Sequence, residues 1–190
     1  MARRGLREEL VEAAVLQFHT YGYNGAGVKD ITDAAGAPKG SFYNHFPSKE
    51  ALAVVALERY GAGRGLEALT DPSVDPLLRL RQHFEFHRDE HLDLGFSRGC
   101  LIGTFATDIA DHSDTLREAV RVSLERWSDA LATAIGQARE AGLVGEAVEP
   151  ATTARFLLNA WEGTLISART DRSAKAFTPF FDLVFGVLLR

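Results

Sequence analysis

Within the run AAGAPKGSFYNHFPSKE, residues 34–50, Lys39, Ser41, Tyr43, His45 and Lys49 bring two ammonium groups, two hydroxyls and an imidazole into eleven positions. These groups share one chemistry: they donate hydrogen bonds to oxyanions, phosphate oxygens above all. Pro38 suits the first position of a short helix ending near His45, before Pro47. On it, Lys39 and Ser41 fall in the first turn, within reach of base edges or phosphate, and Gly40 leaves room for close approach. Tyr43 and His45 can donate to backbone phosphates while their rings lie along the sugars. Lys49, with the free N–H groups opening the next helix, offers one more phosphate site. Phe42 and Phe46 read as anchors that lock the short helix down. A helix so equipped fits the major groove of DNA.

The elements that must carry this helix read at helical period throughout. A first helix is expected from about Arg4 to Tyr21, with Leu6, Leu10, Ala13, Ala14 and Phe18 on one face and Gly22 as its left-handed cap. A second covers Val28 to Ala35, followed by a sharp turn at Gly36. Ser48 caps a fourth helix, Lys49 to about Leu69. Three short helices in about 45 residues, the last two joined by a glycine turn, make a helix-turn-helix pattern.

These residues carry a family likeness. The run LVEAAVLQFHTYGYNGAGVKDITDAAGAPKGSFYNHFPSKEAL resembles the N-terminal DNA-binding domain of TetR-family transcriptional regulators. The shared positions are Ala14, Phe18, Gly22-Tyr23, Val28, Ile31, Ala35-Gly36, Lys39 to Tyr43, His45-Phe46 and Lys49 to Leu52. The resemblance implies DNA contacts from Arg3, Arg4, Gly27, Val28, Lys39, Gly40, Ser41, Tyr43, Asn44, His45 and Lys49. Two positions depart from the pattern. Ala26-Gly27 stands where the family usually has a hydroxyl pair before the second helix, which removes a hydroxyl cap of about 0.5–1 kcal/mol; Thr32 replaces a usual Ala.

Beyond the DPSVDP boundary, residues 71–76, longer helices are expected at Leu77–Leu92, Arg98–Ala110, Ser113–Ala141, from Pro150, and from Ser173 to Leu189. The expected fold is all-α: a helix-turn-helix domain at 1–47, a connecting helix at 48–70, and a helical ligand-binding and dimerisation domain at 71–190. The last helix is apolar around most of its circumference, so Trp161, Phe177, Phe180, Phe181, Val184, Phe185 and Leu188 are candidates for a homodimer interface. Two-fold symmetry then predicts a palindromic operator.

Three features compete for an effector. Cys100, near a predicted helix start and two residues after Arg98, reads either as an activated thiol or as a small buried apolar residue. Its segment RGCLIGTFATDIADHSD is similar to one in some family members that respond to electrophiles. His83, His87 and His91, four apart on one face, can ligate a metal or line a polar cavity. Phe96, Phe105, Trp127 and Trp161 form either an aromatic ligand pocket or plain core.

Composition bounds the alternatives. With 190 residues, 46% apolar and 25% charged, the chain is globular. Its formal charge of -5 is uneven: residues 1–64 balance at +1 and the remainder at -6. DNA responds to the local field within about 8–10 Å, so an acidic second half does not forbid binding by the first. One cysteine excludes an internal disulfide. The interrupted N-terminal stretch is not expected to be a signal peptide, and the C-terminal apolar run is too short to span a bilayer, so a cytoplasmic location is expected. No nucleophile motif or phosphate-cradling glycine loop points to an enzyme, and no cofactor is expected. The remaining rival is a helical ligand-binding or metal-sensing protein whose helix-turn-helix serves activation or protein interaction.

Overall fold

A computed structural model describes residues 5–190; Arg3 and Arg4, two of the expected DNA contacts, lie outside the described residues. Eight α-helices order the described chain: α1 Leu6–Gly25, α2 Val28–Ala34, α3 Lys49–Ala62, α4 Pro76–Asp93, α5 Leu101–Asp108, α6 Asp114–Glu140, α7 Pro150–Asp171 and α8 Phe177–Leu183. Tight 3-10 turns occupy Lys39–Asn44, Leu66–Thr70 and Ala174–Ala176, and a π turn closes the chain at Val184–Leu188. No strand occurs among the described residues, and the all-α expectation holds.

Several helix ends follow from their capping residues. Asp75 and Glu149 accept backbone N–H bonds ahead of Pro76 and Pro150, which spend no donor at the first helical position. Ser48 caps α3 by accepting from the Ala51 N–H. Gly142, at φ 70°, ends α6 with the Leu143 N–H donating to the Ala138 carbonyl, a Schellman closure.

Other boundaries differ from the periodicity. Pro38 is not helical but extended, at ψ 135°, and the segment after it winds as a 3-10 helix. Two prolines nine residues apart leave too few positions for an α ladder, so three-residue bonds close instead: Ser41 N–H to Pro38, and His45 N–H to Phe42. The expected helix from Arg98 starts three residues later, because Gly95 and Phe96 both hold positive φ and turn the chain ahead of it. The expected single helix from Ser173 is instead a 3-10 turn, α8 and a π turn in succession.

The chain divides into two compact units. The first takes residues up to Gly63 together with Cys100–Ser123. Its core joins Leu10, Ala14 and Phe18 of α1 to Ile31, Phe42, Phe46, Leu52 and Ala56. Helix α5 packs on α1, where Phe105 meets Phe18 edge-on at 5.4 Å and Tyr23 at 5.7 Å. Helix α1 breaks at Gly22, at φ 73° and ψ 177°, before a last turn. Asp108 grips that break: its carboxylate accepts from the Tyr23 N–H at 3.1 Å, and its carbonyl accepts from Asn24. A Cβ on Gly22 would lie 2.3 Å from the same carboxylate oxygen.

The second unit holds Arg64–Gly99 and Leu124–Arg190. Phe84 of α4, Trp161 of α7 and Phe177 and Phe180 of α8 interlock, with ring centroids 4.9–5.5 Å apart. Beside them α4 buries His83, His87 and His91. Trp127 Nε1 donates to His83 Nε2 at 2.7 Å, and His91 bonds the His87 carbonyl. Arg64 clasps Glu90 through two nitrogens, while Arg79 donates to the Leu69 carbonyl and Gln137.

Two predictions follow from this packing. Burial, with Arg64 adding to it, pushes His83 down to about 3; burial, then His83 and Arg64, pushes His87 to about 2. Below about pH 6.5 the unfolded chain takes up protons that the folded one refuses, so stability falls as pH drops. Each site costs up to about 1.4 kcal/mol per pH unit, or roughly 3 kcal/mol for the pair between pH 6.5 and 5. Urea unfolding across that range should show the slope, and His87→Gln should remove about half of it. Gly22→Ala, forced to positive φ and against Asp108, should lower stability by about 1–3 kcal/mol in the same assay; an unchanged midpoint would contradict the grip.

Candidate nucleic-acid interface

Phe42 and Phe46 are buried and 6.0 Å apart, and they fix the 3-10 segment to the unit beneath it. The tight winding throws the remaining side chains outward. Lys39, Gly40, Tyr43 and Asn44 are exposed, Tyr43 to 61%, and Ser41 and His45 are half-buried. The Tyr43 ring stands edge-on to Phe42 at 5.1 Å, which holds its hydroxyl away from the core. Ser41 donates to the Pro38 carbonyl at 2.6 Å, leaving its oxygen as an acceptor. The segment thus presents a ridge in which Lys39, Tyr43 and Asn44 face solvent and Ser41 offers an acceptor.

Gly27 caps α2 through its extended backbone, and its N–H donates to Asp30 at 2.9 Å. A Cβ there would sit 2.9 Å from that carboxylate, so the missing hydroxyl goes with a carboxylate that closes over the same space. Val28 is half-buried beside it. Thr32 is fully buried and donates to the Lys29 carbonyl, which spends its hydroxyl inside α2. Lys29 faces solvent paired with Asp33 at 2.5 Å.

Lys49 is turned inward. Its ammonium donates to the Tyr23 carbonyl at 2.9 Å and the Ala26 carbonyl at 3.2 Å, and sits 4.1 Å above the Tyr23 ring. Burial lowers its pKa. In this arrangement Lys49 ties the start of α3 to the end of α1. Glu50 meanwhile accepts from Ser113, which caps α6 by accepting the Leu116 N–H. Neither Asp108 nor the Glu50–Ser113 bond carried a sequence signal, since each spans more than sixty residues of chain.

The effector candidates divide between the units. Cys100 heads α5 in the first unit at 4% exposure, and Phe105 belongs to the core under the helix-turn-helix. Trp127, His83 and His87 cluster in the second unit, and Trp161 stacks among Phe84, Phe177 and Phe180. Phe96 is half-buried in the turn before α5. Phe105 packs its ring against Phe18 and Tyr23. Among the described residues no group of three His, Cys, Asp or Glu side chains is placed to hold a metal ion. A helix repeat of four sets the rings of His83, His87 and His91 one above another, and His83 spends a nitrogen on Trp127.

The expected dimer residues differ in exposure. Trp161, Phe177, Phe180 and Val184 are buried by their own chain, while Phe181, Phe185 and Leu188 are half-buried. The apolar side chains left outside are Phe156 and Ile166 on α7 and Leu183 and Val187 at the C-terminus, 57–69% exposed. Their signal was present but unused: Phe156 and Ile166 fall out of phase with the inward stripe of Ala154, Leu158, Trp161 and Leu165. No described helix is long and apolar enough to cross a membrane.

Comparison with known proteins agrees with this arrangement. Residues 10–56 match the family described as bacterial regulatory proteins, tetR family, and residues 76–183 match the tetracyclin repressor-like C-terminal domain. The HTH-type transcriptional repressor DhaR of Mycobacterium sp. (strain GP1) is 36% identical over all of this chain and 95% of its own. The repressor NemR of Escherichia coli K12 is 29% identical over 80% of this chain and 78% of its own. Among solved structures, regulatory protein TetR from Rhodobacter sphaeroides aligns with a TM-score of 0.87 at 29% identity, over 95% of this chain and 97% of that one. With both halves matched in order and the donor ridge standing where a recognition segment must, the chain belongs to the TetR family of DNA-binding transcriptional regulators.

Proposed function

We propose that this protein is a repressor that binds a palindromic operator as a homodimer and leaves it when a small molecule occupies the second unit. The observation that carries the reading is the Lys39–His45 ridge, in which buried Phe42 and Phe46 set exposed Lys39 and Tyr43 at a fixed spacing. Relatives named as transcriptional repressors support the direction of control. In this reading Lys39 faces base edges or phosphate, Tyr43 and His45 face phosphates, and Gly27 and Val28 approach the backbone. Lys49 positions α3 rather than meeting DNA directly.

The dimer is assigned to α7 and the C-terminal segment. Phe156, Ile166, Leu183 and Val187 leave an apolar face without an internal partner, and Ala160, Gly163, Ser167 and Pro179 line an open groove of about 460 Å³ beside it. Small residues there allow a second helix to approach closely. For release, the 4% exposure of Cys100 favours reversible occupancy of the second unit over thiol chemistry, which needs an accessible sulfur.

Tyr43→Ala should weaken binding to operator and random duplex alike, by about tenfold, and leave the salt dependence unchanged, because its hydroxyl is uncharged. Lys39→Ala should also narrow the gap between operator and random DNA. Gel shift against salt reads both, and unaltered affinity in the two variants would move the interface elsewhere. Ile166→Glu with Leu183→Glu should convert the dimer to monomer by light scattering and abolish operator binding; a dimer that survives both changes places its interface on another face.

A further inference from the structure

The second unit contains polar atoms that its own fold leaves without partners. His87 is 1% exposed and His91 3%, and the Nε2 atom of each lacks a hydrogen bond. Their other nitrogens fix the tautomers. His91 Nδ1 meets the His87 carbonyl at 2.7 Å, and a carbonyl only accepts, so Nδ1 carries the proton. His87 likewise bonds the backbone of Arg64. Both Nε2 atoms are therefore lone-pair acceptors, set one helical turn apart on α4. A buried acceptor without a donor costs about 1–3 kcal/mol, so two on one turn of the same helix call for a donor from outside the fold.

The kind of ligand follows from what the surroundings provide. Acceptors require a donor, so a carboxylate, ether or halide gains nothing from them. Charge is already balanced: Arg64 and Glu90 neutralise each other at 2.5 and 3.0 Å, and the imidazoles are neutral. An ion placed there would be buried without a counter-charge. A metal would need a third donor atom, and no such group of three exists among the described residues. The wall beside His87 is aromatic: the ring of Trp127, itself buried, lies 5.1 Å from it. We propose that His87 and His91 form the polar end of the effector site and recognise a small neutral hydroxyl compound, an alcohol or diol whose O–H donates to Nε2 and whose hydrocarbon lies against the indole of Trp127. The inference rests on the reading that an effector occupies this unit.

The full-length chain can be titrated with butanol, propanediol and diethyl ether, following indole fluorescence and the imidazole nitrogen shifts by two-dimensional NMR. The alcohols should perturb the Trp127 emission and move an Nε2 signal, one for butanol and both for propanediol, with affinity at least about tenfold above that of the ether, the loss expected for one hydrogen bond. His87→Phe, which keeps the ring and removes the acceptor, should erase the preference, and His87→Gln should restore part of it. Equal binding of butanol and ether to the wild-type chain, or Nε2 signals that stay fixed, would overturn the proposal without reliance on any variant; it would leave the two acceptors to bound water. Operator release is scored separately. Butanol that binds at His87 without releasing DNA sustains the hydroxyl site and sinks the effector reading, whereas release by ether with no alcohol preference does the reverse.

Discussion

Gly22 breaks a helix that would otherwise run through twenty residues, and the break holds because the chain returns eighty-five residues later to cap it with Asp108. Without a Cβ, the backbone at Gly22 enters a region closed to other residues and lets a carboxylate approach within bonding distance of the Tyr23 N–H. Tyr23 then stacks on Phe18, meets Phe105 edge-on, and offers its ring and carbonyl to Lys49. One conformational exception thus determines where α1 ends, where α3 begins, and how α5 lies across both. The reading segment between α2 and α3 inherits its position from this joint.

That inheritance explains how a six-residue 3-10 helix is held in one place. Its own hydrogen bonds are few, and short 3-10 turns are weak in isolation. Phe42 and Phe46 supply the missing order by burying their rings in a core whose neighbours are already fixed. Lys49 is the cost of the same economy, since its charge is taken from the surface to hold two carbonyls. The exposed positive charge of the ridge is accordingly modest, in keeping with a unit whose balance is close to neutral and whose selectivity would come from geometry.

The second unit solves a different problem. A core of phenylalanine and leucine alone would be more stable than one that buries three imidazoles and two guanidinium groups. Most of those groups are satisfied: His83 by Trp127, Arg79 by Leu69 and Gln137, Arg64 by Glu90. Among the described residues, Nε2 of His87 and of His91 on α4 have no partner, and the same holds for Nε of Arg79 and Nε1 of Trp161 elsewhere in the unit. Each such atom gives up stability, and on α4 two acceptors do so within one helical turn.

Much of this was legible in the order of residues. Periodicity, glycine and proline punctuation and the Lys39–Lys49 chemistry specified the helices, the helix-turn-helix and its outward ridge, because those properties depend on neighbours within a turn or two of chain. The same local rules misplaced Pro38 and Arg98, where short segments between turns cannot complete an α ladder. What sequence could not contain was the pairing of distant surfaces. Phe105 against Phe18, Asp108 on Gly22, and the choice of which apolar residues of α7 and α8 face inward are decided by packing over many tens of residues. Hydrophobic pattern says that a side chain must be covered; only the closed fold, where volume and hydrogen-bond partners are finite, decides which neighbour covers it and which atoms are left over.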